Sequence, residues 1–292
     1  MHVATLLTNP ETPVLDRVLV ESLRNAWGGA EARWLDPGVA AEFDLGGMPE
    51  NRWQVWQDLQ ALRVDLVVQR SEGRKKRLLI ADMDSTMIQQ ECIDELADEA
   101  GVGARVADIT ARAMNGELDF EGALRERVGL LKGLPEEVIA RVLRDRITLM
   151  PGGPVLLAAM KASGAHAALV SGGFTAFTEA VAARLGFDEN RANTLHLQDG
   201  ALAGTVAEPI LGKEAKLVAL NEISTRLGIT PAEAMAVGDG ANDLPMLLAA
   251  GTGVALHAKP TVQAQCEVRV NHGDLTALLY LQGYSRDDFV PV

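Results

Sequence analysis

Two hydrophobic periods alternate along this chain. Short apolar runs bounded by turn residues predict strands at residues 2–7 and 64–68 and near Glu31-Ala32-Arg33-Trp34, while helical spacing predicts helices at 14–26 and 51–62. At Leu78-Leu79-Ile80-Ala81 a run that fits a buried strand stops abruptly in Asp82-Met83-Asp84-Ser85-Thr86. Residues 88–149 then carry helical patterns and little that resembles a strand: Ile93, Leu96, Ala97 and Ala100 fall on one helix face, and Leu124, Val128 and Leu131 continue the theme. From Met150 strands and helices alternate. Pro151-Gly152-Gly153 starts a helix toward Ala162, Ala165 to Val170 is a strand, and Ser171-Gly172-Gly173 is a turn into a helix at 175–185. A hairpin at 194–206 turns at Asp199-Gly200, a helix spans 213–227, and the strand Ala234 to Val237 ends in Gly238-Asp239-Gly240-Ala241-Asn242-Asp243. Leu244, Leu247 and Leu248 mark a helix, and strands at 252–256 and 267–270 and a helix at 274–282 complete the chain. This alternation predicts an α/β fold with a parallel sheet covered on both faces and ligands beyond the carboxyl ends of its strands.

Composition adds a division of the chain. At 292 residues it is long enough for one large core and a smaller unit. All four tryptophans (Trp27, Trp34, Trp53, Trp56) lie in the first part, which sets residues 1–72 apart as a small α/β domain. Ser71 to Arg77 reads as a linker, its four consecutive cations forming a solvated tether. A net charge of −13 argues against nucleic acid or an anionic membrane as partner, yet leaves room for a small anionic substrate at a site with its own cations. Cys92 and Cys266 are too far apart for a C-x-x-C motif and read as reduced thiols of a cytoplasmic protein. The N-terminus lacks the pattern of a signal peptide, and no apolar run approaches the roughly 18 residues that span a bilayer.

Three polar motifs at strand ends carry the candidate chemistry. In extended backbone Asp82 and Asp84 face the same way. Two like charges about 4 Å apart repel by roughly 4 kcal/mol at an effective dielectric of 20, so the pair calls for a cation, a shared proton or both. In a parallel sheet Asp82 and Asp239 meet at one edge, where they can share a hard cation, Mg2+ being preferred, with Asp243 ligating directly or through a water. An EF-hand calcium loop is excluded, because Met87 and Ile93 stand where a loop begun at Asp82 needs Gly and Glu. Ser171 and the backbone N–H of Gly172 offer a phosphate cradle at a helix start, although S-G-G is equally a plain turn. The five histidines follow no metal spacing, and a structural role is expected for His257.

Asp82-Met83-Asp84-Ser85-Thr86, Val170-Ser171-Gly172-Gly173-Phe174, Lys216 and Val237 to Asp243 resemble the four ordered motifs of the haloacid dehalogenase superfamily. Glu91-Cys92-Ile93-Asp94, Phe120 to Val128, Leu130 to Leu134 and Ala258-Lys259-Pro260 resemble its phosphoserine phosphatase branch, and the likeness covers roughly residues 75–285. The resemblance implies a Rossmann-like catalytic domain at 73–292 with a helical cap inserted at about 88–149, and an N-terminal unit resembling a shortened amino-acid-binding ACT module. It implies that Asp82 is the nucleophile, forming an aspartyl-phosphate, and that Asp84 is the proton donor and acceptor. Mg2+ would be held by Asp82, the backbone carbonyl of Asp84 and Asp239. Ser171, Gly172, Lys216 and Asn242 would hold the phosphoryl group, Glu91 and Arg127 the ammonium and carboxylate of O-phosphoserine, with Met114 and Phe120 closing over it. The activity so implied is hydrolysis of O-phosphoserine, the last step of serine biosynthesis. The alternatives are a related phosphatase or phosphotransferase acting on another small phosphorylated metabolite, and a non-catalytic metabolite-binding regulator.

Overall fold

The computed structural model describes residues 1–112 and 117–292 in full and the backbone of 113–114. Its first part follows the order β1 (His2–Leu7), α1 (Arg17–Ala26), β2 (Arg33–Asp36), β3 (Ala40–Leu45), α2 (Arg52–Gln60), β4 (Asp65–Arg70). The strands form an antiparallel sheet in the order β2-β3-β1-β4, the split βαβ arrangement. Period-two alternation gives this sheet two buried faces. Ala4, Leu6, Ala41, Phe43 and Leu66 pack under α1 and α2, whereas Leu7, Leu35, Ala40 and Val67 join the core of the rest of the molecule.

The second sheet is built from β5 (Leu78–Ala81), β6 (His166–Phe174), β7 (Glu189–Asn193), β10 (Ala234–Gly238), β11 (Thr252–Leu256) and β12 (Val268–Val270), with the hairpin β8 (Leu195–Gln198) and β9 (Ala201–Val206) standing apart. Its six strands are parallel in the order β12-β11-β10-β5-β6-β7. β5 is wholly buried, sending Leu79 and Ala81 to one core and Leu78 and Ile80 to the other, which is why its sequence is continuously apolar. It lies between β10 and β6, so the residues following all three strands share one edge.

Between β5 and β6 come α3 (Cys92–Glu99), α4 (Gly103–Met114), α5 (Phe120–Gly129), α6 (Glu137–Asp145) and α7 (Gly153–Ala162). The first four make a helical segment between Ile88 and Leu149. It leaves and returns through one neck, where Ile88 bridges Leu149 and the Met150 N–H donates to the Met87 carbonyl at 2.9 Å. The remaining helices are α8 (Thr175–Leu185), α9 (Lys213–Arg226), α10 (Leu244–Ala249), α11 (Pro260–Gln263) and α12 (Ala277–Leu281). No helix among the described residues is long and apolar enough to cross a membrane.

The expected hairpin turns where the sequence places it, with Asp199 and Gly200 at positive φ of 53° and 78°, as a two-residue turn of the primed kind requires. Two local readings need correction. Ser171-Gly172-Gly173 is not a turn into a helix: β6 continues to Phe174 through a register slip after Val170, and α8 begins only at Thr175. Nor are Arg74 and Lys76 part of a solvated tether, although Lys75 and Arg77 stay exposed. Arg74 pairs with buried Glu42 at 2.5 Å, Lys76 is buried with Nζ on the Ala232 carbonyl at 2.8 Å, Arg77 meets Glu233 at 3.1 Å, and Lys75 lies over the Tyr284 ring. Each has a partner brought near by folding.

Because Glu42 is only 1% exposed and holds both Arg74 and Arg33, Glu42→Ala should lower unfolding stability by about 2–3 kcal/mol in urea titrations. A loss below about 0.5 kcal/mol would place these pairs with ordinary surface bridges.

Candidate active site

The strand order delivers the polar motifs to one cleft. Asp82 follows β5 directly, its N–H donating to the Val237 carbonyl at 3.0 Å, and its carboxylate sits beside the end of β10. Asp82, Asp239 and Asp243 each offer an oxygen within 4.8 Å of the others. Asp243 reaches this position because residue 238 is glycine, as a β-carbon there would overlap its carboxylate.

Lys216 projects from α9 into the cluster, 2% exposed, with Nζ 2.6 Å from Asp82 and 2.5 Å from Asp243. The second Asp243 oxygen accepts the Gly240 N–H at 3.0 Å. Burial opposes the charge on Lys216, but Asp243 and Asp82 outweigh it and hold the ammonium above the ordinary lysine value. One ammonium does not balance three carboxylates. Burial, then the charge of Asp243, push Asp82 well upward despite Lys216, and burial with Asp243 pushes Asp239 up to about 6. A divalent cation fits this excess of negative charge, and the donors are all hard carboxylate oxygens.

Asp84 is held differently. One oxygen accepts the Cys92 N–H at 2.8 Å, and the other accepts the Ser171 hydroxyl at 3.3 Å. Burial raises its pKa against these hydrogen bonds, the direction needed for a carboxyl that donates a proton near neutrality. Gly173 makes room for it, since a β-carbon there would lie 2.7 Å from its Oδ2.

The residues expected to face a substrate come from the helical segment. Glu91 accepts the Ser85 hydroxyl at 2.7 Å, and burial, then the charge of Asp84, raises its pKa to about 7. Arg127, half-buried on α5, donates only to the Ala123 carbonyl and makes no ion pair within 4 Å among the described residues, while remaining near enough to feel Asp94, Glu91 and Asp84. Its guanidinium fork is therefore available to a ligand. Phe120 lies over Gly172, with its ring 3.1 Å from where a β-carbon would stand. Asn242 turns its Oδ1 to Gly240. The Met114 side chain lies outside the described residues.

Several contributors escaped the sequence reading. Asn193, 2% exposed at the end of β7, donates to the Gly172 carbonyl at 2.9 Å and accepts the Leu211 N–H at 2.7 Å, so it sets the bulged segment that carries Ser171. The Cys92 backbone N–H, Ser85 at φ 55°, and Lys259, whose charge opposes the rise at Asp239, complete the surroundings. Lys259 falls within Ala258-Lys259-Pro260, but nothing in that motif alone points it at Asp239.

The family model described as haloacid dehalogenase-like hydrolase matches residues 79–248. Among curated proteins, a phosphoserine phosphatase of Streptomyces coelicolor is 41% identical over 86% of this chain and 62% of its own length. A phosphoserine phosphatase of Haemophilus influenzae is 47% identical over 70% of this chain and 65% of its own length. The chain thus spans just under two thirds of each of these relatives. Among solved structures, a HAD-family hydrolase from Salmonella enterica serovar Typhi superposes with a TM-score of 0.87 at 32% identity, covering 96% of this chain and 98% of that one.

A carboxyl raised to about 6 must lose its proton before it can ligate a cation. Divalent-cation affinity, followed by calorimetry, should therefore fall as pH drops through about 6, approaching tenfold per unit below it. Affinity that is flat across that range would remove Asp239 from the ligand set.

Proposed function

Because the chain belongs to the haloacid dehalogenase-like hydrolase family, we propose that it hydrolyses O-phospho-L-serine to L-serine and inorganic phosphate with Mg2+ as cofactor. The observation that carries this reading is the pairing, in one cleft, of a nucleophile-and-acid carboxylate pair with an unengaged arginine fork and a nearby glutamate. The names of the relatives agree with it. Both cysteines are free and buried, which accords with a cytoplasmic enzyme.

In this reading Asp82 attacks the phosphorus in line. The bond from phosphorus to the seryl oxygen breaks as the bond to the Asp82 oxygen forms, and Asp84 gives its proton to the departing oxygen. Asp84, now a carboxylate, then takes a proton from water as that water attacks the phosphorus, and the bond to Asp82 breaks to release phosphate. Lys216 steadies the nucleophile and meets the phosphoryl oxygens with Ser171, the Gly172 N–H and Asn242. Asp82, the Asp84 carbonyl and Asp239 would hold Mg2+, with Asp243 ligating it directly or through a water. Bound there, Mg2+ offsets the charge of an anionic nucleophile meeting an anionic phosphate.

At the other end of the substrate, Glu91 takes the ammonium and Arg127 the carboxylate, each supplying the charge that the other half of a zwitterion lacks. Phe120 closes over the substrate, and the helical segment excludes water while the leaving group departs.

Phosphate release should prefer phosphoserine over phosphothreonine and sugar phosphates and stop when a chelator is added. Asp82→Asn should lower it at least about a thousandfold. Arg127→Ala should raise KM for phosphoserine by roughly a hundredfold while changing KM for an aryl phosphate by no more than about twofold. Equal losses on both substrates would sink the zwitterion assignment.

A further inference from the structure

Asp65 opens β4 in the N-terminal sheet, and its carboxylate is completely buried without an ion pair among the described residues. It is satisfied by backbone instead. One oxygen accepts the Asn271 N–H, and the other accepts the N–H groups of His272 and Gly273, all at 2.9 Å. Three donors on one carboxylate fix a short stretch of chain more tightly than any single side-chain contact. Gln60, from α2, adds a fourth tie through the Asn271 amide at 2.9 Å.

The stretch so held follows β12, at the edge of the catalytic sheet, and it in turn holds His257. The Gly273 carbonyl accepts His257 Nε2 at 2.8 Å, and the His257 N–H donates to Val270 at 2.8 Å. His257 has φ of 46°, a conformation that side chains with a β-carbon rarely adopt and that persists only where the surroundings over-determine it. Two residues on, the Lys259 N–H approaches the Asp239 carbonyl at 3.3 Å. Asp239, His257, Lys259 and Gly273 line one cavity of about 510 Å³, which Asn9 and Glu11 of the N-terminal unit also line.

We propose that Asp65 and His257 are positioning residues for the cation: the N-terminal sheet, through the 271–273 backbone and the His257 ring, sets the chain after β11 and with it Lys259 and Asp239. The proposal rests on the reading of Asp82 and Asp239 as cation ligands. It makes the N-terminal unit a fixed wall of the catalytic centre, and it explains why a carboxylate is buried where an apolar residue would leave three N–H groups without acceptors.

The test is calorimetric titration of the full chain with Mg2+, with thermal unfolding recorded on the same samples. Asp65→Asn and His257→Ala should each raise the Mg2+ dissociation constant by about tenfold, the usual scale for residues that orient a ligand from behind. At saturating Mg2+ the KM for phosphoserine should stay within about twofold, and His257→Gln, which keeps an N–H donor for Gly273, should recover most of the loss. The double variant should bind little worse than either single one, because both act through the same link. Unchanged Mg2+ affinity in His257→Ala, or losses that multiply in the double variant, would overturn the proposal even if Asp65→Asn fails to fold. A wild-type chain that binds no divalent cation would instead bring down the ligand assignment itself, and this inference with it.

Discussion

Three carboxylates crowded around one ammonium set the terms for the rest of this structure. Asp82, Asp239 and Asp243 lie within 4.8 Å of one another, and Lys216 bonds two of them from a position 2% exposed. Such an arrangement is unstable on its own account, since like charges at this range repel by several kcal/mol even at intermediate dielectric. It survives because it is assembled from rigid pieces: a wholly buried strand, a neighbouring parallel strand, and a lysine delivered by a helix packed on the other face of the sheet. The residual negative charge is what draws a divalent cation, and in the proposed reaction the same imbalance divides the labour between two carboxylates. Asp82 is kept beside the cations as an anion. Asp84, held by the Cys92 N–H and the Ser171 hydroxyl, is free to carry a proton.

Everything around this centre serves to reach it or to shield it. The helical segment departs and returns through a single neck at Ile88 and Leu149, so four helices can stand over the cleft without disturbing the sheet order. The bulge in β6 turns Ser171 toward Asp84, and Asn193 fixes the peptide after it. On the opposite side the N-terminal sheet contributes Leu7, Leu35, Ala40 and Val67 to the main core, with the Tyr280 hydroxyl on Asp36 at 2.7 Å adding a polar tie.

Much of this is legible in the chain because local rules and the final fold agree there. The run Leu78 to Ala81 is apolar on both faces because its strand is covered on both faces, and the abrupt Asp-x-Asp after it marks the strand end. The Asp199-Gly200 turn and the helix at Thr175 to Leu185 are likewise written in local residues. What could not be read is decided by partners distant in sequence. β3 hides behind Glu42, a charge at a buried position that makes sense only once Arg74 and Arg33 arrive. β7, Glu-Asn-Arg-Ala-Asn, has almost no apolar content and is a strand because it pairs with β6 at the sheet edge. Arg74 and Lys76 looked solvated for the same reason: Glu42 and Ala232 are invisible from positions 71–77.

The candidate site follows the same division. Asp82, Asp84, Asp239, Asp243, Lys216 and Ser171 are recognisable by motif and meet as a parallel sheet requires. Asn193 and Lys259 belong to the same cleft yet look ordinary in sequence, because their role lies in what they hold. The central claim is that Asp82 carries the phosphoryl group between the two half-reactions, and the most direct measurement is rapid acid quenching with radiolabelled phosphoserine. The account predicts protein-bound label that is labile to hydroxylamine, appears within the first turnover, and is absent from Asp82→Asn. Steady phosphate release with no protein-bound label at any quench time would contradict it.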